Sequence, residues 1–178
     1  VYKRQVFGYY LYLPLTFIYG DLGLENVEAI HAIIKQYDIS STFYQASKLP
    51  SGAWVLKYSS GMALLYAPFF FIGHIVASLG GFQADGFSLP YQYAMFGGSV
   101  FYTIAGLALV RRVLLQLFND GVTALSLIVV YLGTNYFFHS SFYGTGASPH
   151  NYLFTLYAAI LLLTICLLYT SPSPRDED

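Results

Sequence analysis

The chain has 178 residues, 56% of them hydrophobic, 19% aromatic and 10% charged, with a formal net charge of −1. A soluble domain carries roughly 25% charged residues, and here no Asp, Glu, Lys or Arg falls between Gly121 and Pro174. Such a stretch is not a solvated surface, so an all-α, polytopic membrane protein partnered with a lipid bilayer is expected, and the lack of a basic stripe argues against nucleic acid.

The two ends read as foreign. One codon choice for Val1–Gln5, VYKRQ, is GTG TAT AAG AGA CAG, and its reverse complement, read one base over, encodes CLLYT, the sequence at Cys166–Thr170. The pair resembles a translated transposon adapter of the kind used in sequencing libraries, whose continuation gives the SPSPRD found at Ser171–Asp176. Residues 1–5 and 166–178 are therefore set aside from fold reasoning, and with them Cys166, the one cysteine. The chain is expected to be a fragment of a longer protein.

Residues 7–20, FGYYLYLPLTFIYG, are aromatic and interrupted by Pro14. Tyrosines at this density suit a membrane–water boundary, where the ring is buried and the hydroxyl stays wet. Residues 24–37 have helical periodicity: Val27, Ile30, Ile33, Ile34 and Tyr37 share one face, Glu25, Glu28, His31 and Lys35 the other. An amphipathic helix is expected, lying on a membrane or on a protein core. Residues 40–58 are the most polar part and predict a small hairpin around Lys48-Leu49-Pro50-Ser51-Gly52.

The run at 62–80 is long enough to cross a bilayer, yet carries Pro68 and His74 mid-run and three aromatics at Phe69, Phe70 and Phe71. It is read as interfacial or re-entrant, with a full span as the alternative, since proline is tolerated in spans. Three spans are expected after it: about 92–115, about 122–138, and one from Pro149 that the adapter-like end cuts short at 165. Gly98, Ser99, Thr103 and Gly106 would let helices approach closely. Arg111 and Arg112 predict the cytoplasmic end, which puts Phe118–Gly121 inside and His139–Asn151 outside. Residues 7–58 are then outside if 62–80 does not cross and inside if it does.

The order of these pieces resembles the polytopic glycosyltransferases of the GT-C superfamily, which includes protein mannosyltransferases and the lipid A aminoarabinose transferase. Lys57-Tyr58-Ser59-Ser60-Gly61 followed by MALLYAPFFFIGHIV stands where that family has a lysine segment and a juxtamembrane run. LVRRVLLQLFNDGVTALSLIVVYLG resembles its span–Arg–turn–span unit, and GASPHNYLFTLYA its outer loop opening the next span. The resemblance covers nearly all of residues 7–165. It implies an outer loop with juxtamembrane helices over 6–91, three spans over 92–165, and a bacterial inner-membrane location. The reaction it implies moves a sugar from a polyprenyl phosphate to an acceptor at the outer face.

Such chemistry needs a carboxylate to take the acceptor's proton and cations or N–H groups to hold the leaving phosphate. The resemblance places the carboxylate upstream of Val6, with Asp21 and Glu25 as alternatives within the chain; a solvated helix N-terminus also accounts for both. It makes Lys57 the lipid-phosphate ligand, beside the plainer reading of a snorkelling lysine. Tyr10, Tyr12, His150 and Asn151 become pocket positions, His150 and Asn151 at a helix start capped by Ser148 with Pro149 at its first position. Ser59 and Ser60 replace the family's prolines, and His150 stands where an Asp is frequent. His74 reads as a hydrogen-bonded packing residue and His31 as one on a wet face. The four histidines lack ligand spacing, so no structural metal is expected; the resemblance allows a divalent cation bound with the donor. A transporter or flippase segment is the non-enzymatic alternative, and a surface-polysaccharide polymerase or ligase a second enzymatic one.

Overall fold

The computed structural model describes residues 5–40, 42–142 and 147–170. Residues 1–4 and 171–178, read from sequence as adapter-derived, and positions 143–146 of the predicted outer loop lie outside the described residues. The chain is mostly helical with one small hairpin, and among the described residues three helices are long and apolar enough to cross a membrane.

The front begins with α1 (Gln5–Tyr10) and α2 (Tyr12–Pro14), which pass into a π-helical turn, Leu15–Tyr19. Pro14 has no N–H to donate, and the widened turn follows it directly. Gly20, at φ 64°, ends the run. Both oxygens of Asp21 then accept backbone N–H groups, from Glu25 at 2.7 Å and Asn26 at 2.9 Å. Asn26 caps α3 (Val27–Gln36) by accepting from the Ala29 N–H at 3.2 Å. The expected amphipathic face is present: Ile30, Ile33 and Ile34 are buried in the protein core, and Glu25, Glu28, His31 and Lys35 are exposed. α3 therefore packs on protein.

The hairpin pairs β1 (Ala46–Lys48) with β2 (Trp54–Leu56) antiparallel, in the register Ala46↔Leu56. Leu49–Gly52 makes the turn, closed by the Gly52 N–H on Leu49 O at 2.9 Å, with Gly52 at φ 89°.

α4 (Gly61–Leu79) is continuous through Pro68. Its buried residues Met62, Tyr66, Phe70, Gly73 and Ala77 recur at helical spacing. α5 (Leu89–Leu114) runs antiparallel to it, Gly73 meeting Tyr91 and Phe69 meeting Gly98 and Tyr102. A Cβ added at Gly98 would lie 2.6 Å from the Phe69 ring, whereas one at Gly97 meets nothing within 4 Å. Of the Gly97-Gly98 pair, Gly98 alone packs against α4.

The expected span at 122–138 is different in the structure. α6 (Asp120–Leu132) has 13 residues, about 20 Å, and stops at Gly133. Thr134 then caps a new short turn, α7 (Asn135–Phe137), by accepting from the Tyr136 N–H at 3.1 Å, and a π-helical turn, Phe138–Phe142, follows. α8 (Pro149–Thr170) passes without a break through Cys166. It runs parallel to α5: Asn151 lies at Ser99 and Thr103, and Thr155 at Tyr102 and Gly106. α8 thus starts about ten residues, or ~15 Å, along α5 from Leu89.

Candidate functional site

Three arrangements gather the polar and aromatic chemistry. The first is a tyrosine layer at the start of α4. The Tyr12 hydroxyl donates to Tyr58 O at 2.6 Å, and the Tyr9 and Tyr58 rings lie 4.8 Å apart. Gly8 admits the Tyr58 ring, since a Cβ there would come within 2.1 Å of it. Burial raises the Tyr12 hydroxyl pKa, and burial with the neighbouring Tyr44 raises that of Tyr58, so both are neutral donors. Lys57 precedes Tyr58, its backbone N–H held by Gln45 O at 2.8 Å and its side chain exposed, with no ion pair among the described residues. The fold thus joins Tyr12 and the Lys57 segment across 46 residues of chain.

The second arrangement is a latch on the α4–α5 loop. Asp85 Oδ1 accepts the N–H groups of Phe87 at 2.8 Å and Ser88 at 2.9 Å, capping the approach to α5. Its Oδ2 accepts the Tyr37 hydroxyl, and its backbone O accepts the Tyr19 hydroxyl at 2.9 Å. Tyr10 is fully buried and donates to Gly86 O at 2.5 Å. Gly86 is at φ 88°, and a Cβ there would stand 2.8 Å from Pro14, so no other residue fits. Burial and the Asp85 charge push Tyr19 up to about 12; burial, the hydrogen bond to Asp85 and its charge push Tyr37 up as well. Sequence reasoning passed over Asp85, though Asp85-Gly86 is a turn dipeptide that marks this loop.

The third is a polar knot where α5, α7 and α8 meet. Asn151 is fully buried: its Nδ2 donates to Ser99 O at 2.8 Å, and its Oδ1 accepts the Tyr136 hydroxyl at 2.8 Å and the Thr103 hydroxyl at 3.1 Å. Thr155 adds a bond to Tyr102 O at 2.7 Å. Above it, Tyr66 of α4 donates to Ala147 O, and its ring stands edge-on to Tyr152 at 5.1 Å. His150, one residue before Asn151, is exposed and its ring lies 4.9 Å from His139.

The predicted positions therefore separate. Tyr12 and Lys57 share the layer, Tyr10 serves the latch, and His150 and Asn151 belong to the knot. Asp21 is occupied as a backbone cap, and Glu25 is exposed near it. His74 is a packing residue as read: its Nδ1 lies 2.5 Å from the Tyr91 hydroxyl and its ring stacks on Phe70. Among the described residues no group of three or more His, Cys, Asp or Glu is placed to hold a metal ion. No protein-family model, no curated protein and no solved structure matches the chain.

Proposed function

We propose that the chain is part of an integral membrane glycosyltransferase of the GT-C type, which moves a sugar from a polyprenyl-phosphate donor to an acceptor at the outer face of a bacterial inner membrane. The observation that carries the membrane part is the outer surface of the long helices. Leu64 is 76% exposed, Ile104 64%, Leu125 64% and Leu163 62%, with Ile72, Ile75, Val100, Phe101, Ile128 and Ile160 beside them. Apolar surface this extensive calls for lipid, not water.

The stagger of the helices favours a particular placement. α8 and α6 flank α5 only from Ser99 onward, so the hydrocarbon layer fits the C-terminal two-thirds of α5, with Arg111 and Arg112 at its far edge. α4 runs antiparallel beside α5 from Tyr91 to Tyr102, so its Lys57 end points toward the middle of α5 and its Asp85 end toward Leu89. Its two ends touch the same polar front region: Gln45 holds Lys57 before its start, and Tyr19 and Tyr37 hold Asp85 after its end. A crossing α4 would put those ends about 28 Å apart on opposite faces, with Glu28 and Lys35 on a helix caught between them. A juxtamembrane α4, tilted so that part of its apolar outer face meets the acyl chains, keeps the front region on one face; α4 is also long and apolar enough for the crossing alternative.

In this reading the tyrosine layer and Lys57 form the donor end of the site. The exposed Lys57 side chain leaves the layer next to Tyr58, at the boundary where a polyprenyl phosphate presents its headgroup. Asp21 and Glu25 are the acids of the front region: Asp21 is held as a backbone cap and Glu25 is exposed near it. One observation favours the non-enzymatic alternative, a transporter or flippase segment: the break of α6 at Gly133 into short turns, since discontinuous helices are a transporter feature.

The test is photo-crosslinking of a polyprenyl-phosphate probe to the purified protein in nanodiscs. Lys57→Ala lowers its affinity about tenfold, the scale of one charge-assisted hydrogen bond. Unchanged affinity removes Lys57 from the site, and failure of the probe to crosslink to the native chain removes the donor-binding reading.

A further inference from the structure

His139 and His150 come from different elements, the second π-helical turn and the first turn of α8, yet their ring centroids are 4.9 Å apart with planes at 46°. Two imidazoles sharing one metal ion at N–metal bonds of about 2.0–2.1 Å, with angles between square-planar and tetrahedral, have centroids about 4.5–5.2 Å apart. The observed spacing falls in that window. His150 is exposed, and its ring packs on that of His139. His139 is half-buried, with its ring edge-on to Phe138.

The surroundings select the type of ion. The sequence has no acid between Gly121 and Pro174, so no carboxylate from this part of the chain is at hand. Hard oxygen-seeking cations such as magnesium and calcium gain nothing from two imidazoles, whereas zinc, copper and nickel do. Two protein ligands leave the other coordination positions to water, so the site is open and exchangeable. It also ties two segments together: Asn151, next to His150, already anchors α8 to α5, and Phe138–Phe142 follows the turn that presents Tyr136 to the same amide.

We propose that His139 and His150 form a two-imidazole site for a divalent transition-metal ion at the α7–α8 corner, separate from the Lys57 layer. Zinc held there staples the π-helical turn to the start of α8, and its open positions bind water or an anionic oxygen.

The test titrates zinc chloride into the purified protein in detergent by calorimetry at pH 7.5. One ion per chain is expected, with affinity reduced at least tenfold by His139→Ala and by His150→Ala, and unchanged by His31→Ala. Magnesium chloride gives no heat. A second readout needs no variant: zinc shifts the ring 15N resonances of two of the four histidines. No binding to the native chain, binding that survives the double substitution, or shifts at His31 and His74 instead would overturn the proposal.

Discussion

Asn151 Nδ2 lies 2.8 Å from Ser99 O, and this bond sets where α8 begins along α5. The same amide accepts the hydroxyls of Tyr136 and Thr103, so one side chain ties three helical elements in an otherwise apolar setting. Interhelical polar contacts in membranes contribute about 0.6–1.7 kcal/mol each by mutation. Asn151→Leu is therefore expected to cost about 1–3 kcal/mol, since it also removes the acceptor of the buried Tyr136 hydroxyl, while Thr103 keeps its bond to Ser99 O at 2.9 Å. Asn151→Asp loses the donor to Ser99 and sets a carboxylate against that carbonyl, so it should be the more severe. Unfolding of the micelle-bound protein by SDS measures both; equal stability of Asn151→Leu and the native chain would mean that the apolar packing alone fixes the depth of α8.

Gly97 and Gly98 are adjacent and predict opposite results. Gly97→Ala faces open space and gains helix propensity, up to about 1 kcal/mol. Gly98→Ala drives a methyl into the Phe69 ring and should cost about 1–3 kcal/mol. The same unfolding assay separates them, and equal effects would remove the close α4–α5 approach.

The latch makes the fold alkali-sensitive. Tyr19 and Tyr37 hold their protons more tightly when folded than when unfolded, because of burial and Asp85. A raised tyrosine pKa means the folded state binds more protons above pH ~10, so stability is intact below the unfolded value and falls as pH rises toward the folded one. For Tyr19 that window runs from about pH 10 to about 12. Thermal melts between pH 9 and 12 should show a falling midpoint in the native chain and a shallower fall in the Tyr19→Phe, Tyr37→Phe variant. A slope that the double substitution leaves unchanged would place the alkaline sensitivity elsewhere.

Much of the fold was legible from local pattern. The α3 face, the hairpin at Leu49–Gly52 and the start of α8 at Pro149 follow from periodicity and turn residues, which act over a few positions. The length of α6 was not, because the apolar run at 122–138 hides Gly133-Thr134-Asn135, a glycine stop followed by a threonine cap. The site was legible only in parts. Tyr12 reaches Tyr58, and Tyr37 reaches Asp85, across 46 and 48 residues of chain; no local pattern encodes such pairs. Asn151 reads from sequence as part of a plain helix cap or as a helix-start anion ligand, yet its amide is engaged by Ser99, Thr103 and Tyr136, because the corner is folded back onto the middle of α5. His139 and His150 meet for the same reason.

The membrane placement rests on which chain segments share a face, and cysteine labelling in intact cells or oriented vesicles measures that most directly. In a chain with Cys166→Ala, single cysteines replace Ser51 in the hairpin turn, Ala84 in the α4–α5 loop and Gln116 beside the Arg111–Arg112 turn. A membrane-impermeant maleimide added from outside should label the first two positions and leave the third for reagent added from within. Labelling of Ser51→Cys and Ala84→Cys from opposite sides would show that α4 crosses the bilayer, and would contradict the account.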